Sequence, residues 1–158
     1  MKKASKGRKV LLRMLFLVYG AAMAWLLFGQ RIGENGVTFD FSARGENVNF
    51  IPLETIKLYL HILRNSTNQA LLLHAIVNLV GNVVLFIPLG WFLPYNWEKY
   101  RFAFKTLFLV LLLMAVVEVA QYITLLGSCD VDDLILNVSG AFIGYCMWKI
   151  GTYRHRKK

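Results

Sequence analysis

Glu118, Asp130 and Asp133, with the amides Asn78, Asn82, Gln121 and Asn137, are the side chains of this sequence equipped for chemistry in apolar surroundings. Two carboxylates such as Glu118 and Asp133 can act as general acid and general base on a bound substrate. The amides cannot exchange protons in that way. They bind and orient, each through one carbonyl acceptor and one NH₂ donor. His74, one turn before Asn78, is expected to be a satisfied packing histidine. No dense set of His or Cys ligands is present, so no metal is expected, and nothing implies a cofactor.

The elements that must position these residues are membrane helices. Hydrophobic residues make up 57% of the 158, and four apolar runs cover 10–28, 71–93, 102–126 and 134–150. A helix needs about 17–25 such residues to cross the hydrocarbon core, which all four runs supply. The fold class is therefore an all-α integral membrane protein with four transmembrane helices, forming a single domain over 1–158. Ala22-Met23-Ala24 imitates a cleavage site, but the apolar run continues to Phe28, which suits an uncleaved anchor. The external segment, 29–70, lies between the first and second helices. Within it, 37–50 alternates like a surface hairpin. Leu53, Ile56, Leu60 and Leu63 then repeat at helical spacing, as an interfacial helix would.

The net charge of +9 is placed as a topology signal. In the four-span arrangement, 14 of the 18 Lys and Arg residues fall on the side of the two termini. The positive-inside rule puts that side, with the N and C termini, in the cytoplasm. Contact with membrane lipids accounts for the charge, and nucleic acid is not an expected partner.

Helical periodicity sorts the polar residues by face. His74, Asn78 and Asn82 recur every four residues with Gly81 between them, within an arc of about 100°. Glu118, Gln121 and Tyr122 share a face of the third span. Asp133, Asn137, Gly140 and Gly144 lie within about 60° on the fourth. Asp132 points about 100° away from that face; as an acid in the first turn it complements the helix dipole, and its amide variant is expected to be mild. Gly140 and Gly144 form a GxxxG, which admits close approach of another helix and makes an oligomer through them conceivable. Asp130 or Ser128 can cap the last helix.

Counted from the span ends at 1.5 Å per residue, Asn78, Glu118 and Asn137 lie about 10, 12 and 9 Å deep. They form one polar layer, with Asp133 above and Asn82 below. Two readings stay open: a hydrogen-bonded plug, or a site open to the outer leaflet. Glu118's protonation state is likewise open. Pro88 is expected to kink the second span or end its regular part early. Cys129 and Cys146, about 25 Å apart on one helix, cannot join as a disulfide.

Taken in order, these motifs resemble a known family. Asn49-Phe-Ile-Pro52, Asn78-Leu-Val-Gly-Asn82 running into Phe86-Ile-Pro88-Leu-Gly90, Glu118-Val-Ala-Gln121, and Asp130-Val-Asp132-Asp133 followed by Asn137 and Gly140 are similar to the VanZ-like family. The resemblance covers about residues 48–150. Each motif alone is weak, and the ordered set is specific. It implies a bacterial plasma-membrane protein linked to resistance to the glycopeptide teicoplanin. Some relatives carry an Arg in the turn before the aspartates, where Gly127-Ser128-Cys129 offers none.

The resemblance supplies no reaction. The first reading is non-enzymatic: the external segment and polar layer engage an envelope lipid or a lipoglycopeptide's acyl tail. The second is an enzyme using Glu118 and Asp133 on a lipid-linked envelope precursor, and the third a small transporter or partner subunit. No nucleophile elbow, phosphate loop or metal motif favours the enzyme.

Overall fold

The structure, a computed structural model, describes residues 6–29, 48–124 and 129–156. The hairpin expected over 37–50 therefore falls mostly outside the described residues, as does a capping role for Ser128. Five α-helices are described: α1 (Lys6–Ala24, continued by a π-helical turn Trp25–Gly29), α2 (Glu54–Asn65), α3 (Gln69–Asn96), α4 (Ala103–Thr124) and α5 (Val131–Arg156), with a short 3-10 turn, Glu98–Tyr100, between α3 and α4. Four apolar stretches are long enough to span a membrane: Val10–Phe28, Gln69–Asn96, Ala103–Thr124 and Val131–Tyr153. These match the four runs read from the sequence, and the protein is a multi-pass membrane protein. α2 is the fifth helix, short and amphipathic, as its spacing predicts.

Helices α3 and α5 form the spine of the bundle. Their approach is set by Gly90, Gly140 and Gly144, all buried. A Cβ built on Gly140 would sit 2.0 Å from the Val83 carbonyl oxygen, and one on Gly144 1.9 Å from that of Ile87. Gly90 answers from the other side, its Cβ position 1.9 Å from the Ala141 carbonyl oxygen. In lipid there is little hydrophobic drive between helices, so backbone contact of this kind supplies the dispersion that holds them. The close approach offered by the GxxxG is thus made within the chain, against α3.

Around that contact Phe86, Leu89, Leu93, Val110, Met114, Val117 and Ala141 form the buried core. Pro88 and Pro94 both lie inside α3, which runs without a break to Asn96. Of the two outcomes expected of Pro88, a kink or an early end of the regular helix, the early end does not occur. Each proline forfeits one main-chain bond, and the packed neighbours on either side keep the helix together.

The remaining elements attach to this spine. α1 packs at the edge through Phe16, whose ring meets Phe92 and Trp97 edge-on at 5.6 Å each. Tyr19 adds a hydroxyl bond to the Leu85 carbonyl at 2.6 Å. At the end of the bundle away from α2, Tyr145 Oη donates to the Arg101 carbonyl (2.8 Å) and Thr106 Oγ1 to that of Tyr100 (2.6 Å). At the α2 end, β1 (Val48–Asn49) pairs in parallel with β2 (Cys129–Asp130), Val48 opposite Cys129 and Asn49 opposite Asp130. That two-residue ladder ties the segment before α2 to the start of α5. Cys129 and Cys146 are both free thiols.

Candidate functional site: a carboxylate clamp at the α2 end

Three acidic residues are buried where α2, α4 and α5 converge: Glu118, Asp130 and Asp132, exposed by 3%, 7% and 0%. Among the described residues no ion pair reaches them; the recorded one, Arg101 to Glu98, lies at the other end. A buried carboxylate without a cation must be satisfied by hydrogen-bond donors. Here the donors are mostly main-chain N–H groups.

Glu118 Oε2 accepts from Asp130 N at 3.0 Å, fixing the start of α5 against α4. Asp130 then caps its own helix, Oδ1 accepting from Asp132 N at 2.8 Å. This is the local N-cap expected from the sequence, where a short side chain reaches two residues forward to a donor the helix leaves unpaired. The same carboxylate reaches across the fold. Thr55 Oγ1 donates to Asp130 Oδ2 at 2.6 Å, and Asn49 Nδ2 bridges Asp130 Oδ1 (3.3 Å) and Thr55 Oγ1 (2.9 Å).

Asp132 is the correction to the sequence reading. Its role goes beyond the dipole of its own helix: fully buried, it accepts from Leu53 N with one oxygen and from Ile56 N at 3.0 Å with the other. Leu53 stands at the N-cap of α2 in a left-handed conformation, φ 69°, and has no side-chain oxygen to cap with. Asp132 caps α2 from another helix, and its charge complements the positive end of the α2 dipole. The angle of about 100° from Asp133 was right. It turns Asp132 towards α2, whose position periodicity within α5 cannot reveal.

The other expected site residues disperse. Asn82 joins the clamp's edge, donating to Asp133 Oδ1 at 2.6 Å between α3 and α5. Asn78 does not reach it: its amide returns to the His74 carbonyl at 2.9 Å, one turn earlier on its own helix. His74 is exposed and its ring meets Tyr59 of α2 edge-on at 5.7 Å. Gln121 turns the other way, donating to the Leu27 carbonyl at 3.0 Å and so tying α1 to α4. Asn137 is 1% exposed and its Oδ1 has no hydrogen-bond partner. The single polar layer thus resolves into a clamp, an interhelical pair, one anchor from Gln121 to α1, and the amides Asn78 and Asn137, which join none of these by the hydrogen bonds described.

Sequence reasoning missed Thr55 and the role of Asp132, and placed Asn49 in a motif without a task. A signal was present in Asn49, since an Asx residue two before Ile51 favours a local turn; its Oδ1 accepts from Ile51 N at 2.9 Å. Cys129 sits against this cluster, and burial, then the neighbouring Glu118 and Asp130 charges, push its thiol pKa up. Among the described residues no group of three or more His, Cys, Asp or Glu side chains is arranged to hold a metal ion.

This architecture is a membrane-helix bundle in which the acidic start of α5 clamps an amphipathic helix at one end. The chain belongs to the VanZ/LLP1 family, whose model matches residues 16–152. Over 80 residues it is 32% identical to Protein VanZ of Enterococcus faecium, covering 51% of this chain and 49% of that protein. It thus spans about half the length of the curated relative it matches. No solved structure matches the chain.

Proposed function

We propose that this protein works at the outer face of a bacterial plasma membrane and lowers the action of lipoglycopeptides such as teicoplanin without catalysing a reaction. In this reading the clamped external segment engages an envelope lipid or the drug's acyl tail. The family membership supports a role in glycopeptide resistance, and the charge asymmetry of the loops supports an outward α2 end. The observation that carries the non-enzymatic reading is the use made of the carboxylates. One oxygen of Glu118 and both oxygens of Asp130 and of Asp132 accept hydrogen bonds that fix main-chain or neighbouring groups. An acid/base pair needs a proton path to substrate; the oxygens named here instead hold the fold.

Expression in a susceptible Gram-positive host tests the proposal. Teicoplanin susceptibility should fall while vancomycin, which lacks an acyl tail, is unaffected. An equal shift for both drugs, or for neither, would count against engagement through the lipid part.

A further inference from the structure

The residues between β1 and α2 are apolar without interruption: Phe50, Ile51, Pro52 and Leu53. All four are exposed, Phe50 by 74%, Ile51 by 63% and Leu53 by 44%. A run of this kind held in water would be unfavourable, and soluble surfaces rarely keep one without a partner. The backbone of the run shows what surroundings it suits. Ile51 N donates to Asn49 Oδ1 (2.9 Å), Leu53 N to Asp132, and Glu54 N to the Ile51 carbonyl (3.3 Å). Pro52 has no N–H to satisfy. The donors from Ile51 to Glu54 are thus met by the protein itself, as a segment beside hydrocarbon requires.

The height of the run fits the same surroundings. Leu53 N is bonded to Asp132, the second residue of the span Val131–Tyr153. At 1.5 Å per residue those 23 residues rise about 34 Å, against a hydrocarbon core of about 30 Å. The run therefore stands at the boundary between acyl chains and headgroups. Leu60, two turns along α2, is exposed on the same side of that helix as Leu53, and Lys57 and Arg64 are exposed within about 60° of it, their long stems able to carry the charges up to headgroup phosphates. The left-handed backbone at Leu53 is unfavourable for a residue with a side chain and is held by the Asp132 bond, so the outward aim of the tip is imposed by the fold.

We infer that Phe50, Ile51, Pro52 and Leu53 form a membrane wedge, seated in the leaflet at the α2 end of the bundle. The wedge is independent of the resistance reading. It holds α2 flat at headgroup level and fixes the depth at which the external segment meets lipid.

The experiment places a fluorophore on the tip of the full chain in phosphatidylcholine–phosphatidylglycerol vesicles. Ile51→Cys and, as the water-facing reference, Asn65→Cys are each made with Cys129→Ser and Cys146→Ser and labelled with an NBD group. Labelled protein must match the parent in size-exclusion profile and thermal midpoint. The inference expects a blue-shifted label at 51, quenched by shallow doxyl lipids several-fold more than at 65, with iodide quenching reversed. Iodide access at 51 equal to that at 65 would overturn it. Protection from both quenchers would also overturn it, since the tip would then be covered by protein. Phe50→Trp in the unaltered cysteine background provides a second measurement. Brominated lipids should quench the added emission, and the absence of that increment contradicts the wedge.

Discussion

Asp132 offers the sharpest perturbation, because its two oxygens hold two main-chain donors of α2 and, among the described residues, no other acceptor meets those donors. Asp132→Asn keeps one acceptor oxygen and presents an NH₂ group to the second donor. One hydrogen bond to a charged group is then lost, worth about 1.5–3 kcal/mol. A loss of about 2 kcal/mol lowers the docking equilibrium of α2 about thirtyfold. Asp132→Ala removes both bonds, about 4 kcal/mol if they add, or about a thousandfold. Hydrogen exchange of the chain in nanodiscs reads this directly, since the amides of Leu53 and Ile56 should lose protection by those factors. Asp133→Asn serves as the reference, because Asp133 faces Asn82 and should leave α2 protected. Unchanged protection at Leu53 and Ile56 in Asp132→Asn would refute the capping role.

Three further outcomes follow from the packing and the site. Gly140→Ala and Gly144→Ala place a Cβ about 2 Å from a carbonyl oxygen and should each destabilise the bundle by about 1–3 kcal/mol. Gly81→Ala, whose Cβ would meet nothing closer than Val77 Cγ1 at 3.9 Å, should gain up to about 1 kcal/mol of helix propensity. Thermal midpoints in detergent that fail to separate these variants would contradict the α3–α5 contact. Cys129 should react with a membrane-impermeant maleimide from outside intact cells, slowly at neutral pH. Its raised pKa leaves little thiolate there, so labelling should accelerate as pH climbs above 9; a rate flat with pH would contradict the buried setting. Cys146 and both termini should be shielded from external reagents and protease; an exposed terminus would overturn the proposed orientation.

What the sequence made legible is what local periodicity encodes. Span lengths, the apolar stripes and the small face of Gly140 and Gly144 all follow from residues three or four apart. The cap by Asp130 was readable for the same reason, since it acts two residues away. The pairings of Asp132 with Leu53 and Ile56, and of Asp130 with Asn49 and Thr55, were not. They join positions 75 to 81 apart in the chain, and nothing in either segment names its partner. Asn78 shows the opposite failure: a polar face was read correctly, but an amide can satisfy itself on the carbonyl one turn back. Gln121 bonds to α1, whose docking edge no periodicity in α4 reveals.

The central claim, that the buried carboxylates clamp the fold and do not transfer protons, is tested most directly at Glu118. Glu118→Gln keeps the length and an acceptor oxygen for Asp130 N, and loses only the titratable carboxyl group. The measurement is teicoplanin susceptibility of a host expressing this variant at normal level and thermal stability. Protection close to that of the unaltered protein is the predicted result. Loss of protection by a well-folded, normally expressed Glu118→Gln would contradict it and assign Glu118 a proton to exchange.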